Sequence, residues 1–197
     1  LDKFNARQTR KDRMIDDYYE KIRTGKQEKL FHEVILQIGN MEDMNANTEN
    51  GQLSKIILDK YMKTFQERNP NLYVFSAHLH MDEATPHLHI DFVPFTTGSK
   101  RGLEKRVSLK KALEAQGFVG KGRSDTEWNR WVYSKKEKLS EIMLEYGIEW
   151  DKKGTHEKHK SVSEFKRDKL IEEVEALTEQ KEELEHKISA YTNAEQY

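Results

Sequence analysis

Four of the eight histidines stand within twelve residues, as His78-Leu-His80-Met-Asp82-Glu83-Ala-Thr85-Pro86-His87-Leu-His89. Imidazoles this dense, with two carboxylates between them, are metal-ligand chemistry. Neutral imidazole suits Zn, Mn, Fe, Ni or Cu, so the ligand type leaves the ion open. Three imidazoles leave coordination positions free, as a catalytic metal requires. A lone histidine is usually a surface or satisfied core residue; four on one short segment are harder to explain that way. His78 is the dispensable one, because three ligands suffice.

The flanking sequence has to bring these rings together. Leu72–His80 and His87–Phe95 read as two strands joined by Met-Asp-Glu-Ala-Thr-Pro, a length that suits an antiparallel hairpin. Side chains alternate along a strand. That puts Val74, Ser76, His78 and His80 on one face, and His87, His89 and Asp91 on the matching face of the second strand. Tyr73, Phe75, Ala77, Leu79, Leu88, Ile90 and Phe92 make the opposite, apolar face. A simple register sets His80 across from His87 and His78 across from His89. Strands about 4.8 Å apart, with same-face residues about 6.7 Å apart, allow three imidazoles to meet one ion at about 2.1 Å. Pro94 implies that the second strand ends there or lies at an edge.

The rest of the chain supplies support. Residues 2–29 are read as an amphipathic helix ending near Gly25. Phe31–Ile38 is read as a buried strand, and residues 40–50 as a polar loop. Leu53, Ile56, Ile57, Tyr61 and Phe65 mark a helix that stops before Asn69-Pro70. A short helix is expected over 108–116. A longer one begins at Ser124-Asp-Thr-Glu127, which has capping-box spacing, and stops at Gly147. From about Ser163 to Tyr191, Leu170, Val174, Leu177, Leu184, Ile188 and Tyr191 follow heptad steps. The fold class expected is α+β: a two-layer antiparallel sheet with flanking helices, plus a long C-terminal helix. The catalytic core is placed at 1–160 and the helix at 161–197, as a linker or a homodimerisation element.

Composition narrows the function classes. Among 197 residues there is no cysteine, which excludes disulfides, thiolate zinc sites and cysteine nucleophiles. The absence of a long apolar run or a signal peptide points to a cytoplasmic protein without a membrane span. Net charge is −1, but it is unevenly spread. Lys100–Arg123 holds eight basic and two acidic side chains, a local charge of +6, whereas residues 161–197 carry −5. The basic segment follows the histidine hairpin and suits phosphate contacts. Phe118, Trp128 and Trp131 are candidates for stacking on bases, or else for filling the core.

His80-x-Asp82-Glu83-x-Thr85-Pro86-His87-x-His89, followed by Val93-Pro94-Phe95, resembles the metal motif of plasmid mobilization and recombination (Mob/Pre, MobV-type) relaxases. His87-Leu88-His89 is similar to the His-hydrophobic-His signature of the wider HUH endonucleases. The resemblance runs on to His159-Lys160-x-Val162-x-Glu164-Phe165-Lys166 and covers most of residues 30–170. It implies metal ligation by His80, His87 and His89, with Glu83 as a catalytic carboxylate or further ligand and Asp82 in the turn. It implies nicking and rejoining of single-stranded DNA at a plasmid origin of transfer, with the protein attached to the 5′ end. One divalent ion is expected, Mn or Mg in function, with Zn, Ni and Co as further candidates. Lys100, Arg101, Lys105 and Arg106 are the expected DNA contacts.

Relatives of this type use a histidine in an N-terminal His-Asn-rich motif, and none occurs here. The nucleophile is therefore expected upstream of Leu1, with Tyr18-Tyr19 as the alternative within the chain. A fragment of this kind binds metal and DNA but nicks poorly. Two rival readings are a phosphoesterase acting through metal-bound water and a non-catalytic DNA-binding or assembly protein.

Overall fold

The computed structural model describes residues 1–99, 102–151 and 162–194. The chain separates into two compact units, Leu1–Trp150 and Asp151–Tyr197. The boundary expected at 160/161 falls outside the described residues.

The first unit is α+β. Its strands are β1 (His32–Gln37), β2 (Leu72–His80), β3 (His87–Thr96) and the short β4 (Arg106–Val107). They form one antiparallel sheet in the order β1-β3-β2, with β4 paired to the end of β3. β3 is central because its alternate residues Leu88, Ile90 and Phe92 are apolar and nearly inaccessible. Pro94 sits within β3, beyond the β1 pairing that ends at Phe92, and its carbonyl accepts from the Ser108 amide at 3.2 Å.

Helices cover the face of β3 that carries Leu88, Ile90 and Phe92. They are α3 (Glu49–Lys63), α4 (Phe65–Arg68), α5 (Leu109–Ala115) and α6 (Glu127–Leu144). Ile57, Leu58, Tyr61, Phe65, Leu113, Trp131 and Ile142 from these helices join the sheet residues in one core. A buried polar link ties the helical layer together. Asn69 donates through Nδ2 to the Phe65 carbonyl at 2.7 Å and accepts from Trp131 Nε1 at 2.8 Å. Both groups of the buried amide are thereby satisfied.

Three sequence expectations change. The single helix over 2–29 is instead α1 (Asp2–Asn5), a 3-10 turn (Lys11–Arg13) and α2 (Tyr18–Arg23). Side chains compete with the helical backbone here. The Asn5 amide exchanges two 2.9 Å bonds with the backbone of Ile15, and Asp17 caps a new start by accepting from the Tyr19 and Glu20 amides. Helix α6 is capped by Thr126, which accepts from the Asn129 amide. Ser124 and Glu127 form no capping box; the Glu127 carboxylate instead accepts from the Gly120 amide. Finally, a β-bulge falls between Val74 and Ser76. It leaves Val74 opposite Phe92, with the core, so strict alternation from His78 back to Val74 fails. Tyr73 and Phe75 are 62% and 51% exposed rather than packed.

Among the described residues, the second unit holds the long helix α7 (Val162–Ala194).

Candidate metal centre and nucleic-acid face

The hairpin register is the expected one, His80 across from His87 and His78 across from His89. β1 flanks the other side of β3, with Ile35 opposite His89 and Glu33 opposite Asp91. The rings of His80, His87 and His89 form a nearly equilateral triangle, with centroids 5.1, 5.0 and 5.0 Å apart. His78 is exposed.

The hydrogen bonds behind the rings fix their chemistry. His87 Nδ1 lies 2.9 Å from the Thr85 carbonyl. A carbonyl only accepts, so Nδ1 carries the proton and Nε2 of the neutral ring keeps its lone pair. His89 Nδ1 lies 2.7 Å from Glu33 Oε1, which selects the same tautomer. His80 Nδ1 is 3.4 Å from Asp82 Oδ1. His87 and His89 are thus each held by a hydrogen-bonded oxygen on Nδ1, the arrangement that orients metal-binding histidines. Glu83 stands on the other side, its Oε2 3.9 Å from His87 Nε2.

The donor types and the spacing of the rings suit a divalent ion, whereas their planes as they stand do not. Three imidazoles around one metal at about 2.1 Å place their ring centroids about 5 Å apart, which is the spacing seen. A metal must also lie in the plane of every ring it binds. His80 and His87 stack at an interplanar angle of 9°, so ring rotation is needed for both to share one ion. Consistent with this, no set of three His, Asp or Glu among the described residues already closes on one point.

The turn that carries Glu83 is held from outside the hairpin. The Ala46 amide donates to the Ala84 carbonyl at 3.0 Å. The Asn45–Ala46 backbone is pressed so closely against Gly51 of α3 that a Cβ there would stand 2.0 Å from the Asn45 carbonyl oxygen. Only glycine permits that approach.

A family model described as plasmid recombination enzyme (Mob_Pre) matches residues 1–167. The chain belongs to this family. No curated protein and no solved structure gives a significant match.

Within the basic segment 100–123, six of the side chains fall into three groups. Lys105 and Arg106 lie at the far end of β3. Arg106 pairs with Thr96 of β3, and Lys105 Nζ stands 4.7 Å from the centroid of the Phe95 ring. Lys100 and Arg101 lie outside the described residues. Lys110 and Lys111 are engaged by Glu114, and Lys110 also by Glu127, whose carboxyl is held below its ordinary range by hydrogen bonds and by that lysine.

The tryptophan candidates belong to the core. Trp131 is inaccessible, Trp128 stacks on it at 4.9 Å, and Phe118 packs against the core. The residue missed by sequence reasoning is Glu33. Its face on β1 follows from alternation with Ile35 and Gln37, but nothing local to β1 shows that β1 pairs with β3.

Proposed function

We propose that this plasmid recombination enzyme acts as a relaxase, nicking and rejoining one strand of DNA at a plasmid origin of transfer with a divalent metal held by His80, His87 and His89. The supporting observation is the anchoring of His87 and His89 through Nδ1, which leaves both Nε2 lone pairs available beside Glu83. Thr85 and Glu33 orient the rings, and Pro86 is fully buried beneath the turn. Glu83, two-thirds exposed, is placed to complete the ligand set or to take a proton from an attacking group. Lys105 and Arg106 hold phosphates of the incoming strand. A divalent ion at such a site stabilises charge on the non-bridging phosphate oxygens and orients the phosphate. In the transfer, a protein nucleophile forms a bond to phosphorus while the bond to the 3′ oxygen breaks. The 3′ hydroxyl is released and the protein keeps the 5′ phosphate, so reversal rejoins the strand.

We assign no attacking group among the described residues. The Tyr18 hydroxyl accepts from the Val107 amide at 2.9 Å, far along the sheet from the triad. The chain by itself is therefore expected to bind metal and DNA and to nick weakly. The reading also gives α7 the role of pairing with a second copy.

A test that needs no nucleophile is affinity cleavage. Loaded with Fe2+ and given peroxide, the chain is expected to cut bound single-stranded DNA within a confined stretch. His87→Ala with His89→Ala should abolish the cut. Diffuse cleavage that survives the double substitution contradicts the reading.

A further inference from the structure

A second concentration of charge lies in the helical layer, on the covered side of the sheet. Helix α6 buries Trp131, Lys135, Leu139 and Ile142, one every three or four residues, where it meets the core. Position 135 in that stripe calls for an apolar residue, yet it holds a lysine that is only 6% exposed. Its ammonium stands 5.6 Å from the centroid of the Phe118 ring and 5.5 Å from that of Trp131. Lys135, Phe118, Ser134 and Arg68 all line one cavity of about 340 Å3.

An ammonium taken out of water is costly unless a counter-charge and hydrogen-bond acceptors replace the water. Ring faces attract a cation, but they do not replace charged acceptors. The nearest charge that acts on Lys135 is a second cation. Burial and then Arg68 push its pKa down to about 8, and no carboxylate offsets them. Arg68 gives Nε to the Thr64 hydroxyl and Nη2 to the Tyr61 carbonyl. It therefore lines the cavity as a fixed charge rather than as a free donor. Gln116, also on the wall, spends its Nε2 on the Ala112 carbonyl. Two carboxylates stand at the rim. Glu141 pairs with Lys138 at 2.6 Å, and Glu137 is exposed to water. The interior of the cavity thus carries two cations and no anion.

We propose that this cavity is an anion site that takes a phosphate group, with the Lys135 ammonium and the Ser134 hydroxyl as donors and Arg68 as the second charge. A phosphate surrounds the ammonium with charged acceptors, and hydrogen bonds of that kind are short and strong. Near neutral pH it also carries close to two negative charges, which matches two cations where chloride matches one. Neither the histidines nor Lys105 takes part, so the site stands independently of the relaxase reading. The phosphate is either free in solution or part of a DNA backbone, and the two sources separate by experiment.

The test labels the lysine ε-carbons of the whole chain with 13C and follows Lys135, picked out by its low pKa, in an NMR titration. In chloride the pKa should stand near 8. Millimolar inorganic phosphate at the same ionic strength should bind the charged form about tenfold more tightly and so raise the pKa by about one. It should also raise the melting temperature by about 3 °C, and Lys135→Met should abolish that rise. A single-stranded oligonucleotide in place of phosphate identifies the source. If it produces the same change in the Lys135 titration, and Lys135→Met lowers the salt slope of its binding by about one, the phosphate belongs to DNA. If inorganic phosphate alone produces the change, the ligand is a free anion. Identical Lys135 titrations in chloride, phosphate and oligonucleotide overturn the proposal. Stabilisation by phosphate that survives Lys135→Met overturns it as well.

Discussion

At the scale of single residues, metal binding would depend on what stands behind the imidazoles. Glu33 reaches across from β1 to His89 Nδ1 at 2.7 Å, and carboxylates in that position are commonly worth about 10–100-fold in metal affinity. Glu33→Ala is accordingly expected to weaken Mn2+ binding by that factor. Asp82→Ala should weaken it less, because its contact with His80 is 3.4 Å. Equal affinities for Glu33→Ala and the unaltered chain, measured by calorimetry, would remove Glu33 from the site. Lys135 supplies a different kind of test. Its ammonium is buried against the rings of Phe118 and Trp131, at 5.6 and 5.5 Å, and burial followed by the charge of Arg68 pushes its pKa down to about 8. The unfolded chain holds that proton up to the ordinary 10.5. Between these values the unfolded state binds more protons, so stability rises with pH; below about 8 both states are protonated and the full penalty applies. Lys135→Met keeps the stem in place. It should flatten that rise and stabilise the protein at pH 7 by about 1–3 kcal/mol, as read from urea melts at pH 7 and pH 9.5.

At the scale of elements, α7 makes the clearest prediction. Leu170, Val174, Leu177 and Leu184 are 57–60% exposed along one helix, and ion pairs such as Lys181–Glu185 and Lys187–Glu183 support its surface. A seam of this kind favours pairing with a second helix. Sedimentation velocity should show a dimer that dissociates on dilution, and Val174→Asp with Leu177→Asp should leave a monomer at all concentrations. A monomer in the unaltered chain would reduce α7 to a solvated helix. The elements also show what a sequence can and cannot reveal. The hairpin was legible because period-two alternation and a six-residue turn are local signals, and they set the His80–His87 pairing directly. The bulge between Val74 and Ser76 was not, since no glycine marks it. The broken N-terminal helix was misread because apolar spacing outvoted Asn5 and Asp17, whose side chains take over backbone bonds.

At the scale of the whole molecule, the first unit divides its labour between the two faces of one sheet. One face is sealed by α3, α5 and α6 around Trp131. The other carries the imidazole triangle, Glu33 and Glu83, with Lys105 over Phe95 at its basic end. The pairing of β1 with β3 joins residues more than fifty positions apart, which is why Glu33 escaped a reading built on local pattern while the three histidines did not. Among the described residues no helix is long and apolar enough to cross a membrane. The family match over residues 1–167 spans the whole first unit, so the triad and the basic end fall within one inherited fold. If the three histidines hold one metal ion, titration calorimetry with Mn2+ should show one ion per chain, with binding lost when His87 and His89 are both changed to alanine and circular dichroism is unchanged. Undiminished binding at the same stoichiometry in that double variant would contradict that assignment.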